Sequence, residues 1–124
     1  MAANTSFAVR FAIPSDAGYV AGRVYKADQD TTTADKFQAV GFIQTTTALA
    51  AGDSIPMIML GSMAIGSADS AFAAGDVGKP IYLNAAGAFS TTAPSTDLYA
   101  VKTMGYVETT TVIFVMPMQG ALVN

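Results

Sequence analysis

The chain has 124 residues, a formal net charge of −3 and a pI near 4.4, and it lacks cysteine, histidine and tryptophan. One domain is the expectation at this length, and such a domain buries roughly two-thirds of its unfolded surface without metals or disulfides. Nucleic acid is excluded as the main partner because Lys and Arg are nowhere clustered, and phosphate binding needs concentrated positive charge. Charged residues make up only 12% of the chain against 52% hydrophobic, so much of the surface is expected to be covered by neighbouring subunits.

Residues 1–5 are small and polar and read as an arm, and Asn4-Thr5-Ser6 is a chance match to a glycosylation sequon. No basic start precedes an apolar run, so no secretory signal is expected. Residues 6–13 alternate, with Phe7, Val9, Phe11 and Ile13 opposite Ser6, Ala8, Arg10 and Ala12. That is the pattern of a half-buried strand, and Pro14-Ser15-Asp16 ends it. Residues 1–17 are therefore taken as an arm plus first strand, of which residues 1–13 could add a strand to a sister subunit or partner, and 18–124 as a single β-domain.

Residues 18–26 predict a second strand, followed by a threonine-rich polar loop over 27–36. Residues 37–47 are extended and end in Thr45-Thr46-Thr47, a β-branched run that suits sheet. Residues 54–60 are apolar on both faces (Ile55, Met57 and Met59 against Pro56, Ile58 and Leu60), which predicts a strand buried on both sides or at a subunit contact. At 55–65 the most apolar stretch is too short and broken to span a bilayer, and no membrane partner is expected. Small residues make 61–75 a loop. Residues 79–83, 84–87 and 88–92 predict strand, turn and returning strand. Two final strands follow at 98–108 and 110–116 with a tight link near 108–109, and residues 117–124 trail off. Valine and isoleucine outnumber leucine by 17 to 5, and no stretch keeps a 3.6-residue apolar period. The fold class expected is all-β, a small barrel or sandwich of short, mostly antiparallel strands.

An internal duplication is expected as well. A shift of 64 positions aligns Val40-Gly41-Phe42-Ile43-Gln44-Thr45-Thr46-Thr47 with Met104-Gly105-Tyr106-Val107-Glu108-Thr109-Thr110-Thr111. Upstream, Gly22-Arg23-Val24-Tyr25 answers Gly78-Lys79-Pro80-Ile81-Tyr82, with one residue inserted. Glycine at 41 and 105 predicts a bulge or a close backbone approach.

Chemistry is sparse. Without His or Cys, no Ser-His-Asp or Cys-His arrangement can be built, and the best metal ligands are missing. No catalytic, cofactor-binding or metal residue is assigned, no cofactor is expected, and the protein is read as a non-enzyme. Asp28 and Asp30 are turn formers before they are cation ligands, since nothing has the calcium-loop spacing. Gly75-Asp76-Val77-Gly78-Lys79-Pro80 lacks the spacing, the Ser/Thr and the helix of a phosphate loop. Met57, Met59, Met63, Met116 and Met118 read as core or interface filler before a ligand groove. Tyr19, Tyr25, Tyr82, Tyr99 and Tyr106 read as structural before sugar-stacking.

The order of these motifs resembles a known family. Residues 22–28, Val40-Gly41-Phe42-Ile43, the Ala51-Gly52-Asp53 turn, residues 74–83, residues 91–95 and Met104-Gly105-Tyr106-Val107 together are similar to small β-modules of tailed-bacteriophage virions, especially capsid decoration (cement) proteins. The resemblance covers about residues 18–116 and is closest at Gly78, Lys79, Pro80, Tyr82 and Leu83, which are framework positions. It implies a structural virion protein, made in the host bacterial cytoplasm and located on the capsid surface. As a homo-oligomer, commonly a trimer, it would bind and stabilise the lattice of the major capsid protein. The alternative it implies is a sugar- or host-surface-binding module of a head fibre or tail.

Overall fold

In the computed structural model, described for all residues except 31, 33, 34, 120 and 124, the alternating N-terminal stretch forms β1 (Ser6–Phe11). It does so as the middle strand of a sheet. β2 (Val24–Lys26) and β3 (Gly41–Gln44) flank it in the order β2-β1-β3, both antiparallel. A second sheet of five strands is built from β4 (Gly61–Ala64), β5 (Pro80–Leu83), β6 (Phe89–Ser90), β8 (Thr103–Thr109) and β9 (Val112–Val115), ordered β4-β9-β8-β5-β6. Between β6 and β8 lies β7 (Ala100–Val101), which pairs with β10 (Leu122–Val123). The fold is all-β with antiparallel pairing, and its sheets stay open instead of closing into a barrel.

The two larger sheets share one core. Ala8 and Phe42 from the first meet Met63, Ile81, Leu83, Met104, Val107, Ile113 and Val115 from the second. Phe89 seals the edge, its ring 5.1 Å from that of Phe42 in an edge-to-face contact. The other face of the first sheet carries a separate cluster, Phe7, Val9 and Ile43, covered by Met1, Val24, Ile55 and Met57. Both faces of β1 are therefore buried, where its alternation predicted one. Residues 1–17 are consequently no detachable arm: β1 is the centre of its sheet, and the turn before it is tied into the body. There the Asp69 carboxylate accepts the Ser6 and Gly66 amides at 2.9 Å each, and the Asn4 carbonyl accepts the Ala68 amide at 2.8 Å.

Other boundaries moved for physical reasons. The second strand shortens to three residues because residues 14–23 form turns, with Gly18 and Gly22 at positive φ. Residues 54–60 are no buried strand. Only Ile58 pairs, exchanging both backbone bonds with Phe42, while Met59 and Leu60 are 51% and 69% exposed. The strand falls instead on β4, within the stretch read as loop: Met63 enters the core, and its small neighbours tolerate the sheet edge. The final hairpin turns at Thr110-Thr111, after a bulge between Val107 and Thr109 that leaves Glu108 unpaired. The tail does not trail off either, since β10 returns to β7.

The proposed duplication holds locally and fails in topology. Gly22 and Gly78 both adopt φ +87°, with open space around them. Gly41 and Gly105 both lie against a neighbouring segment's carbonyl: a Cβ on Gly41 would stand 2.5 Å from the Ile58 oxygen, and one on Gly105 would overlap the Phe114 oxygen. Yet β5 pairs directly with β8, whereas β1 separates β2 from β3. The matched aromatics also part ways, Phe42 being fully buried and Tyr106 41% exposed. Because Gly105 combines φ +144° with that close contact, Gly105→Ala is expected to destabilise the fold by about 3 kcal/mol or more. Gly22→Ala, strained but unobstructed, should cost about 1 kcal/mol. Urea unfolding of the two variants checks the ranking.

Candidate functional site

The residues singled out for chemistry are mostly occupied by structure. Asp28 accepts the Asp30 amide at 3.1 Å and the Ala86 amide at 3.4 Å, while Asp30 accepts both the amide and the hydroxyl of Thr32, at 2.9 and 2.7 Å. Those Thr32 bonds favour the ionised carboxyl and hold Asp30 below its usual range. Among the described residues no three acidic side chains are grouped so as to hold a cation. In the 75–80 loop, Lys79 turns back onto Asp76 at 3.0 Å, and the Gly78 amide is spent on the Val107 carbonyl at 2.8 Å. That leaves no nest of free amides for a phosphate.

The tyrosines do not form one platform. Tyr19 is exposed on the hairpin before β2; Tyr99 bridges Asp30; Tyr25 is half-buried beneath Arg10, whose guanidinium carbon lies 5.4 Å from the ring centre. Tyr82 and Tyr106 share the outer face of the five-stranded sheet, because their neighbours Ile81, Leu83, Gly105 and Val107 point or pack inward. The methionines divide similarly: Met63 is core, Met57 covers the small cluster, and Met59, Met116 and Met118 are exposed.

Two buried cations were not legible from the pattern. Arg10, placed on the solvent face by alternation, is 4% exposed and makes a two-pronged pair with Asp16 at 2.8 Å through each terminal nitrogen. Asp16 also accepts the Ile13 amide at 2.9 Å, so the pair fastens the turn that follows β1. The Arg10 bonds, then the Ile13 amide, lower the Asp16 carboxyl from an ordinary 3.8 to about 2. Lys102 is 2% exposed between β7 and β8, and its ammonium donates to the Met118 carbonyl, tying down the chain leading to β10. Burial pushes its pKa down. No local pattern marks either residue as buried; the way the chain folds back over each of them does it.

What remains open for contact is apolar. On the outer face of the five-stranded sheet, Ser62, Phe114, Tyr106 and Pro80 stand side by side in cross-strand register on β4, β9, β8 and β5. Met116, just after β9, and Leu60, just before β4, are exposed as well. Glu108 accepts the Ser62 hydroxyl at 2.9 Å. A groove of about 720 Å³ also opens on the outer face of the first sheet, floored by Phe11, Val24 and Ile43 and walled by residues 49–57. Backbone pairs, hydroxyls and apolar rings are what these surfaces offer; they suit recognition of another polypeptide.

Asp16 supplies a test of the buried pair. Its carboxyl is depressed when folded, so the contribution to stability is complete above the unfolded value of 3.8 and disappears as pH falls through about 2. The urea midpoint is expected to drop across that window. Asp16→Asn should lower the midpoint at neutral pH, by stranding a buried guanidinium, and flatten the acid limb. A variant with an unchanged acid limb would remove Asp16 as its cause.

Comparison of the chain with protein-family models, with curated proteins and with solved structures finds no match.

Proposed function

We propose that this chain is a structural virion protein that binds the outer surface of a tailed-phage capsid and stabilises the lattice of the major capsid protein, acting as a homo-oligomer, in the first instance a trimer. The observation that carries the reading is the outer face of the five-stranded sheet. A protein with 12% charged residues presents Pro80, Tyr82, Tyr106, Phe114 and Met116 on one rigid, laterally hydrogen-bonded surface. Aromatic and methionine side chains of this kind bury large apolar area at small entropic loss. They are backed by a five-stranded antiparallel ladder. The motif order from residue 18 to 116 supports the same reading by its resemblance to decoration proteins.

Mechanically, such a module works by adding contact area across a seam between capsid subunits. Each protomer that docks raises the free energy needed to separate them, and oligomerisation multiplies the effect, because one body then holds several subunits at once. Nothing in this role requires turnover.

The test uses capsids of the phage that encodes the chain, prepared without it. Added protein should co-sediment with them and raise the temperature at which they open. Tyr106→Asp, on an exposed position, should abolish co-sedimentation while leaving the circular-dichroism melt of the free protein within a few degrees. Failure of the unaltered protein to bind would overturn the reading, and retained binding by the variant would remove this face as the contact.

A further inference from the structure

We infer that the groove beside β2 is an acceptor site for an extended acidic peptide segment, which would add to the three-stranded sheet as a fourth strand. The first observation is an open backbone edge. Ala12 donates to the Arg23 carbonyl at 2.8 Å and Ala27 to the Ala8 carbonyl at 3.0 Å. These bonds fix the phase of the β1–β2 ladder, so Arg23, Tyr25 and Ala27 bond inward to β1 while Val24 and Lys26 turn their N–H and C=O groups away from it. β2 is the edge strand, and no backbone group among the described residues pairs with those outward groups. They match the spacing an incoming strand requires.

The second observation is what lies beneath that edge. A strand added there would place alternate side chains beside Val24, on the face where its cross-strand partner Phe11 stays exposed, at the groove walled by residues 49–55 and Met57. Phe11 is 46% exposed on that floor, room for one aliphatic side chain to cover it. The wall is held in place: Leu49 donates to the Met1 carbonyl at 3.0 Å, and Asp53 accepts the Ala50 amide at 2.8 Å.

Charge selects the occupant. Arg23 stands at the mouth, its Nη2 3.9 Å from where a Cβ would sit on Gly52 in the opposite wall, and it makes no ion pair with any described residue. Asp53, the acid of the wall, has its carboxylate committed to its own turn. A carboxylate next to the buried aliphatic residue therefore completes the site, through charge-assisted bonds to the guanidinium. This site is separate from the Tyr106 face, and the inference does not rest on the capsid reading.

The probe is a terminally blocked peptide, Thr-Val-Thr-Leu-Glu-Val, titrated into the isotopically labelled full chain and followed by amide chemical shifts, alongside the same peptide with Lys in place of Glu. Shifts are expected at Val24, Lys26, Phe11 and residues 49–57, with the acidic peptide binding about tenfold more tightly than the lysine one. Arg23→Glu, on an exposed side chain, should reverse that preference. Equal binding of both peptides, shifts centred on Tyr106 and Phe114, or no shifts at millimolar peptide would each overturn the proposal. So would self-association of the unliganded chain that Arg23→Glu abolishes, which would assign the edge to a second copy.

Discussion

Burial of β1 on both faces is the constraint that the rest of this structure answers. A strand so placed cannot discharge its polar groups into solvent, so each must find a partner within the fold. Ser6 does so through Asp69 and the Gly66 turn, and the backbone does so through β2 and β3. Arg10 does so through Asp16, with Tyr25 beneath the guanidinium. Its small residue Ala8 lets the two sheets approach, while Phe7 and Val9 found the second cluster on the opposite side. The irregular chain from 45 to 58 follows from this: its task is to cover Phe7, Val9 and Ile43, and coverage of that kind needs Ile55 and Met57 in place, with only one backbone bridge.

Close backbone approach is the second organising feature. Gly66 lies against the Asn4 carbonyl, Gly105 against that of Phe114, and Gly41 against that of Ile58. At each point the backbones approach with no room for a Cβ: between β8 and β9 at Gly105, beside the Phe42–Ile58 bridge at Gly41, and between the turn before β1 and the chain after β4 at Gly66. Bulges in β8 complete the effect. The irregularity beside Gly105 shifts the strand's register against β5, and the one at Glu108 shifts it against β9. Between them they turn Met104 and Val107 inward and Tyr106 outward. The apolar outer row of the five-stranded sheet is thus a product of the same local geometry that closes the core.

The two surfaces left available differ in kind. The five-stranded face is broad, aromatic and nearly free of charge, suited to burying area against a large rigid partner. The edge of β2 is narrow and directional, with backbone groups in fixed spacing and one guanidinium.

The class of fold was legible in the chain because β-branched alternation needs no tertiary information: β1, β3, β5 and the β8–β9 hairpin lie within stretches whose pattern already marks them. Turn residues placed the breaks near Pro14, Asp53 and Asn84 for the same local reason. The likeness to phage particle modules that we propose for residues 18–116 rests on motif order alone and carries no geometry. What the tertiary structure alone decided was which faces are buried and which strands are neighbours. Arg10 looks like a surface residue until Asp16 folds back on it, and Leu60 looks like core until Met63 takes the sheet position instead. The likeness of residues 40–47 to 104–111 is true of the glycines and untrue of the pairing, since a strand from elsewhere in the chain decides who sits beside whom. The groove at β2 was invisible for that reason: Phe11, Arg23, Ile43 and Met57 are far apart in sequence, and only the path of the chain across the sheet brings them to one place.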